Sequence, residues 1–226
     1  MTPTIILLLG PSSAGKTTLA KALQDLLDEP FLHAPIDAIM HMVPKRCLDD
    51  EPHDIANGEP PAHGGFWWQQ DADHPAAPLV TRIGPFGEQM ILAAHRAVHA
   101  FAESGFNLIV DDVIYQPGWV ADYVELLGHH QVLLVAVRCG LTELERREAA
   151  RRDRRIGQSR GDLTIIYDLP CYDVQVDTGN ATPEDCAEAI RTRLEEAAPF
   201  QAWPQVCALM GNRRTEMEAG HDGNRD

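Results

Sequence analysis

The sequence predicts one α/β domain, built on a mostly parallel five-stranded sheet with helices on both faces. Apolar runs of strand length alternate along the chain with longer segments of helical periodicity. The runs are nearly continuous in Val, Ile and Leu, which is typical of parallel strands buried on both faces. With 226 residues, 44% of them hydrophobic, the chain is long enough for one such domain with a sizeable core.

The elements follow in order from this alternation. The predicted strands are 4–9, 30–37, 107–113, 131–137 and 172–177, of which 30–37 has the weakest pattern. The predicted helices are 17–27, 87–103, 119–127, 142–155 and 183–197. Residues 45–85 are rich in Pro, Gly, His and Asp and predict a long functional loop or a small insertion. We expect residues 1–200 to form the domain and residues 201–226 a partly disordered tail, because the end of the chain is polar and rich in Gly and charge.

The first strand runs directly into GPSSAGKT, which matches the phosphate-loop pattern GxxxxGK[ST]. Small side chains let successive backbone N–H groups close around a polyphosphate at the positive end of the following helix. Lys16 would reach the β and γ phosphates, and the hydroxyl of Thr17 would ligate Mg²⁺. The residues predicted to bind the nucleotide are Gly10, Ser12, Ser13, Ala14, Gly15, Lys16, Thr17 and Thr18. The fold expected is therefore the three-layer sandwich of P-loop NTPases, with ATP and Mg²⁺ as cofactors.

Two acids, Asp111 and Asp112, end the predicted strand 107–113. Ligands of open α/β sheets gather at the carboxyl ends of the strands, where an acid can hold Mg²⁺ or its water. Asp111 is our candidate for the metal. The alternative is that the paired acids only end the strand or cap the next helix.

Composition argues against several classes of protein. Lys and Arg number 19 against 34 Asp and Glu, and the formal charge of −15 disfavours nucleic acid and anionic membranes as partners. Five cysteines without a CxxC pair suggest neither a disulfide framework nor a zinc ribbon and fit the reducing cytoplasm. The first apolar run is too short for a signal peptide or a membrane span. The ten histidines form no HExxH or compact Cys/His pattern, so we do not expect a transition-metal site.

An arginine-rich segment follows the fourth predicted strand. Arginines three to four residues apart line one helix face, which could close over ATP and neutralise the transferred phosphoryl group. We therefore predict a lid over about residues 142–170. The alternative is a solvated face on which Glu143, Glu145 and Glu148 pair with the arginines. The arginines of this segment are Arg146, Arg147, Arg151, Arg152, Arg154, Arg155 and Arg160.

Asp37 follows the second apolar segment and starts a short helix, so we expect it on the same side of the sheet as the phosphate loop. Its carboxylate could orient an acceptor hydroxyl or accept its proton, as a positioned base does in phosphoryl transfer. A helix cap is an equal alternative, since Asp favours that position.

Five motifs in order resemble those of the chloramphenicol phosphotransferase family, over roughly residues 5–197. They are LLLGPSSAGKTTLAKALQDLL, EPFLHAPIDAIMHMVP, NLIVDDV, VAVRC followed by REAARRDR, and YDVQVDT. The family comprises P-loop kinases that phosphorylate a primary hydroxyl of a small molecule with ATP. The resemblance implies that Asp37 is the catalytic base, that Lys16 assists catalysis, and that Arg147, Arg151 and Arg154 belong to the closing segment.

The chain departs from the family in two places. Thr17 replaces a Ser and keeps the hydroxyl, whereas residues 45–85 form a longer and differently composed region where the acceptor pocket is expected. The aromatic side chains of Phe66, Trp67 and Trp68 in this region could stack on a flat acceptor or form a small core of their own.

The sequence favours an ATP-dependent kinase with a small-molecule hydroxyl acceptor. The identity of that acceptor decides between antibiotic resistance and metabolism, and the sequence carries no sign of an oligomeric state. Two alternatives stay open: a metabolic kinase of the shikimate or gluconate type, and a non-catalytic ATP-binding regulatory or toxin–antitoxin partner. An acid aimed at an acceptor, Asp37, distinguishes the kinases from the last class.

Overall fold

The computed structural model describes residues 2–48, 60–71, 78–151 and 156–222, with side chains up to residue 212. Its strands are β1 Thr4–Leu9, β2 Phe31–Pro35, β3 Phe66–Gln70, β4 Leu79–Ile83, β5 Asn107–Asp112, β6 Gln131–Arg138 and β7 Val174–Asp177. Its helices are α1 Lys16–Leu26, α2 Pro85–Glu103, α3 Pro117–Leu127, α4 Leu141–Ala150, α5 Gln158–Ile165, α6 Pro183–Glu195 and α7 Ala202–Asp222. Two short 3₁₀ helices, Ile36–Met42 and Lys45–Cys47, follow β2.

A parallel five-stranded sheet in the order β2-β5-β1-β6-β7 forms the middle layer. Strand β1 lies at its centre, with Leu9 opposite Asp112 of β5 on one side and Ala136 of β6 on the other. The predicted fold class is confirmed, and each of the five predicted strands is present. Because all strands run the same way, the ends of β1, β2 and β5 meet at one edge of the sheet.

Side chains of β1 alternate between two cores, one on each face of the sheet. Ile5, Leu7 and Leu9 face a cluster formed with α2, α3 and the start of α7. Ile6 and Leu8 face a second cluster formed with α1, α4 and α6. This division is the physical origin of the three-layer sandwich. Among the described helices, none has the length and apolar character needed to cross a lipid bilayer.

The region 45–85 contains an antiparallel hairpin of β3 and β4, in which Phe66 pairs with Ile83. The sequence analysis did not predict these strands. Phe66 is buried in the core on the α2 side of the sheet, so the hairpin is anchored to the domain rather than detached from it. Residues 49–59 and 72–77 of this region lie outside the described residues.

The arginine-rich segment differs from the single helix expected over 142–155. Helix α4 ends at Ala150, and Arg151 has an extended backbone. Residues 152–155 lie outside the described residues. A second helix, α5, follows Gly157, whose φ of 95° is in the left-handed region that favours glycine. The glycines at 157 and 161 weaken the helical pattern of this segment, which explains why α5 was missed.

The segment expected to be a partly disordered tail begins with helix α7. Trp203 is only 2% exposed, and its indole Nε1 donates a hydrogen bond to the Leu127 carbonyl oxygen at 3.2 Å. The first turns of α7 therefore belong to the core, and the expectation was based too heavily on the polar residues after Met210. Residues 223–226 lie outside the described residues, and the division of the chain at residue 200 stays a prediction.

Replacing Trp203 with Ala should lower the free energy of unfolding by about 3–5 kcal/mol, because it removes a buried indole and its hydrogen bond. Urea denaturation measures the effect. Leu209→Ala on the same helix is the control, since Leu209 is 48% exposed and should change stability by no more than about 0.5 kcal/mol. Equal effects of the two substitutions would show that α7 does not pack on the core.

Candidate active site

A cavity of about 500 Å³ opens at the carboxyl edge of the sheet, where ligands of α/β folds bind. The phosphate loop and the start of α1 line one end of it. The 3₁₀ helix after β2, the β3–β4 hairpin and helix α4 contribute the other walls. The site residues predicted from sequence that line this cavity are Ser12, Ser13, Gly15, Lys16, Thr17, Thr18, Asp37, Asp111, Arg147 and Arg151.

The path of the phosphate loop depends on its glycines. A Cβ on Gly10 would lie 2.3 Å from the carbonyl oxygen of Val137, so only glycine fits where β1 passes β6. Ser13 and Gly15 have φ values of 63° and 84°, in the left-handed region. The loop then enters α1 at Lys16, and its amides lie at the positive end of that helix.

Lys16 and Thr17 both contact Asp111. The Lys16 ammonium donates to the carbonyl oxygens of Gly10 and Pro11, at 3.0 Å each, and lies 3.7 Å from Asp111 Oδ1. The Thr17 hydroxyl donates to Asp111 Oδ2 at 2.8 Å. The structure thus brings the predicted phosphate-binding lysine and the two predicted magnesium ligands together.

Asp111 lies near the end of β5, which runs between β1 and β2 in the sheet. It is buried, and its environment favours the ionised form. Burial tends to raise its pKa, but the charge of Lys16, the imidazole of His33 and the hydroxyl of Thr17 outweigh that effect. The pKa of Asp111 is therefore held below its usual range. His33 Nε2 lies 3.6 Å from Asp111 Oδ2. An ionised carboxylate beside a threonine hydroxyl is a hard oxygen pair of the kind that Mg²⁺ prefers.

Asp112 has a different environment, because successive residues of a strand point to opposite faces. Its Oδ2 accepts a hydrogen bond from the Tyr123 hydroxyl at 3.0 Å and lies 3.5 Å from His95 Nε2. His95 is fully buried, and its Nδ1 lies 2.7 Å from Asp122 Oδ2. Burial and the Asp112 charge raise the pKa of Tyr123 well above its usual value. Of the two acids, only Asp111 contacts Thr17 and Lys16.

Asp37 is exposed and lines the cavity from the 3₁₀ helix Ile36–Met42. The register explains its place: Pro35, the last residue of β2, lies opposite Asp111, and Asp37 follows two residues later. The cap position of the helix is occupied by Pro35. Asp37 is therefore not the N-cap residue of this helix, and it is one of the residues that line the cavity.

Arg147 is tied to the phosphate loop through Thr178, which follows β7. Its guanidinium donates to the Thr178 hydroxyl at 3.1 Å and to the Thr178 carbonyl oxygen at 2.5 Å. The Thr178 hydroxyl in turn donates to the Ala14 carbonyl oxygen at 2.6 Å. Thr178 ends the motif YDVQVDT, but it was not predicted as a site residue, because the motif by itself gives the threonine no role. Arg147 also pairs with Glu143 at 2.7 Å.

The other arginines of the segment give some support to each interpretation, the closing lid and the solvated face. Arg146 and Arg151 line the cavity with Arg147. Arg146 and Arg160 also pair with Glu143 and Glu145, as the solvated-face alternative predicted. Hydrogen bonds from Arg146 and Arg147 lower the pKa of Glu143 to about 2. The predicted catalytic residue Arg154 lies outside the described residues.

Among the described residues, Glu148 pairs with no arginine, and its pairing with the arginines at 152, 154 and 155 stays a prediction. It is buried, and its two carboxylate oxygens accept hydrogen bonds from the backbone N–H groups of Gly157 and Ser159, at 2.7 Å each. These bonds hold the first turn of α5 against α4. Capping of free helix N–H groups by a carboxylate is also favoured by the helix dipole.

Asp162 of α5 is a site residue that sequence reasoning missed. It is fully buried and accepts hydrogen bonds from the Ser12 backbone N–H at 3.2 Å, the Thr81 hydroxyl at 3.2 Å and the Tyr115 hydroxyl at 3.0 Å. One carboxylate therefore joins the phosphate loop, the hairpin and the segment after β5. In the sequence it is one acid among arginines, and nothing marks it as different.

Burial raises the pKa of Asp162 to about 6, although its hydrogen bonds and the charge of Lys16 act in the opposite direction. One part of the cavity wall is apolar and aromatic. The side chains that form it are Ile36, Met40, Phe66, Trp68, Ile83, Ile91, Tyr115 and Trp119. Phe66 and Trp68 thus line the cavity, and Phe66 also packs in the core.

A parallel three-layer sandwich, with a phosphate loop after its first strand and an acid in the same cavity, defines the class of P-loop small-molecule phosphotransferases. Within that class, the chain belongs to the chloramphenicol phosphotransferase-like family, whose sequence model matches residues 3–195. It is 34% identical over 206 residues to a protein of two Mycobacterium tuberculosis strains named "putative O-phosphotransferase". That match covers 91% of this chain and 85% of the relative.

Solved structures show the same fold. A sugar kinase from Janibacter sp. HTCC2649 has a TM-score of 0.58 at 17% identity, covering 91% of this chain and 98% of the kinase. The Mycobacterium tuberculosis APS kinase, in complex with AMPPNP and APS, has a TM-score of 0.57 at 12% identity, covering 86% and 99%. At such identities the likeness shows the fold alone.

The raised pKa of Asp162 predicts a pH dependence of stability. Between an unfolded pKa near 3.8 and a folded pKa of about 6, the native state binds the extra proton, so stability falls as pH rises through this window. The change amounts to roughly 2–3 kcal/mol. Urea unfolding at steps between pH 4 and 7 measures it.

In Asp162→Asn this contribution to the slope should vanish, whereas Asp25→Asn, at an exposed position of α1, should keep the slope of the parent protein. The same slope in both variants would show that Asp162 does not titrate in this range.

Proposed function

We propose that the protein transfers the γ-phosphoryl group of ATP to a hydroxyl of a small molecule with an apolar or aromatic body. The observation that carries the proposal is that a single cavity is lined by the phosphate loop and by an apolar and aromatic wall, with Asp37 also lining it. A site for nucleotide alone has no use for such a wall beside a candidate base. A non-catalytic regulatory role is therefore not favoured.

ATP fits the phosphate end of the cavity. The loop amides and the Lys16 ammonium supply positive charge for the β and γ phosphates. The APS kinase of the same fold was solved with AMPPNP, an ATP analogue. The five cysteines are free, which suits the reducing cytoplasm where we place the reaction.

Mg²⁺ would be held by the Thr17 hydroxyl and the Asp111 carboxylate, whose oxygens already lie 2.8 Å apart. Both are hard oxygen donors, and Asp111 favours the ionised form. When bound, the ion neutralises charge on the phosphate oxygens.

In the proposed reaction the acceptor oxygen attacks the γ-phosphorus, the bond from that phosphorus to the β–γ bridging oxygen breaks, and ADP leaves. Asp37 orients the hydroxyl and takes its proton. Arg147 and Arg151, with Arg146 beside them, line the same cavity and oppose the negative charge of the transferred group. Arg154 stays a predicted member of this group.

The walls of the cavity indicate the chemical class of the acceptor. Trp68, Tyr115 and Trp119 offer aromatic faces and edges, which suit a flat ring. The Trp119 indole donates to Glu88 Oε1 at 2.8 Å, so its polar edge is satisfied and its ring adds apolar surface. An aromatic alcohol of the chloramphenicol type fits this description better than a sugar.

A screen for ATP-dependent mass gain tests the proposal. We expect an aromatic or apolar primary alcohol, with chloramphenicol among those tried, to gain one phosphoryl group in mass spectrometry. Lys16→Ala should lower the rate at least about a hundredfold, because it removes charge stabilisation at the phosphates. Transfer by a folded Lys16→Ala variant at the parent rate would contradict the mechanism. Phosphorylation of sugars alone would contradict the proposed acceptor class.

Asp37→Asn separates acceptor activation from nucleotide binding. It removes the base but keeps size and hydrogen-bonding capacity, so transfer should fall by about a hundredfold or more while ATP affinity is nearly unchanged. The transfer assay and calorimetric titration of ATP with Mg²⁺ measure the two effects. Asp25→Asn, far along α1, is the matched control and should alter neither. A loss of ATP affinity in Asp37→Asn would place this residue at the nucleotide instead.

A further inference from the structure

A cluster of histidines and one glutamate lies away from the active site. His99 and Glu103 are one turn apart near the end of α2, and His129 and His130 lie between α3 and β6. These segments directly precede β5 and β6, so the cluster is at the amino edge of the sheet. The phosphate loop is at the opposite, carboxyl edge. Phosphoryl transfer therefore gives the cluster no role.

The side chains of the cluster converge on one point. Ligand atoms of His99, Glu103 and His130 all lie within 4.8 Å of one another. His129 Nε2 lies 3.0 Å from Glu103 Oε1, and His130 Nε2 lies 3.0 Å from the same oxygen. The ring centroid of His99 is 6.1 Å from those of both other histidines. Three imidazoles thus surround one carboxylate.

Hydrogen bonding leaves part of this cluster unsatisfied. The side chain of His130 is only 5% exposed, and within the described part of the chain neither of its ring nitrogens has a hydrogen bond of good geometry. His99 Nδ1 is also buried without such a bond there. Buried polar atoms without partners are uncommon and cost stability. A ligand that accepts lone pairs from nitrogen would satisfy them.

We propose that His99, Glu103 and His130 bind a zinc ion, with water or His129 as the fourth ligand. Imidazole nitrogen and carboxylate oxygen are ordinary zinc ligands. At the tetrahedral angle, ligand atoms about 2.0–2.2 Å from a zinc ion lie about 3.3–3.6 Å apart. From their 4.8 Å limit the ligand atoms therefore need to approach one another by roughly 1.2–1.5 Å, which rotation about their side-chain bonds can supply.

The place of the site indicates a structural role. Three protein ligands from two segments would fasten the end of α2 to the connection between α3 and β6, both of which pack on the same side of the sheet. Zinc at this edge binds the native fold and should raise its stability by mass action. The site is separate from the proposed magnesium pair of Thr17 and Asp111.

Calorimetric titration of the metal-free protein with Zn²⁺ tests the proposal. We expect one equivalent to bind and the melting temperature to rise with added zinc. His99→Ala and His130→Ala should each weaken binding by at least about tenfold, as loss of groups at a metal site commonly does. The absorption spectrum of added Co²⁺ reports whether nitrogen ligands surround the ion.

Two controls make the result specific. His41→Ala removes an exposed histidine outside the cluster and should leave zinc binding unchanged. Asp111→Asn should do the same, and a loss of zinc binding in that variant would place the ion at the active site and overturn the proposal. Failure of the parent protein to bind zinc, or equal binding by a His99→Ala/His130→Ala variant, would also overturn it. Circular dichroism in EDTA checks that each variant folds without metal. If a variant that carries His99→Ala does not fold, His99→Gln takes the place of that substitution.

Discussion

The close passage of Gly10 beneath the carbonyl oxygen of Val137 is the constraint on which the active site depends. At 2.3 Å a Cβ would collide with fixed backbone of the neighbouring strand, so β1 can turn into the phosphate loop only with glycine there. That turn delivers Lys16 to the carbonyl oxygens of the loop and sets Thr17 against Asp111. The parallel register of β1 with β5 then completes the arrangement, because it places Asp111 beside Leu8 at the same height in the sheet.

The loop is held from two sides by contacts distant in sequence. On one side Thr178 donates to the Ala14 carbonyl oxygen and accepts from Arg147. On the other side Asp162 accepts from the Ser12 amide. Both contacts are made by residues from the second half of the chain, so the geometry of a motif at residues 10–17 depends on the complete fold. The motif supplies the residue types of the phosphate loop, and the later elements of the chain fix where its backbone groups lie.

Much of this arrangement could be predicted from the sequence, for a physical reason in each case. Strands buried on both faces reveal themselves as apolar runs, and all five strands of the sheet were found in this way. Lys16 and Thr17 were predicted from the phosphate-loop pattern, and Asp111 from its place at the end of a strand, where ligands bind. Asp37 follows the second apolar segment, and the family resemblance gave it its predicted role. The hairpin β3–β4 was missed because its short strands lie in a segment rich in turn-forming residues. Asp162 and the histidine cluster depend on contacts between remote segments, which leave no periodic or local pattern.

The position of Asp162 has a consequence for how acceptor specificity can change. Its carboxylate joins the Thr81 hydroxyl of the hairpin to the Ser12 amide of the phosphate loop, and the hairpin forms part of the cavity wall that we propose binds the acceptor. Substitutions that reshape the hairpin for a different alcohol therefore also displace a group that supports the nucleotide loop. Under the proposed function, the KM values for the acceptor and for ATP are expected to change together, so that a lineage that acquires a new acceptor must also readjust its binding of ATP.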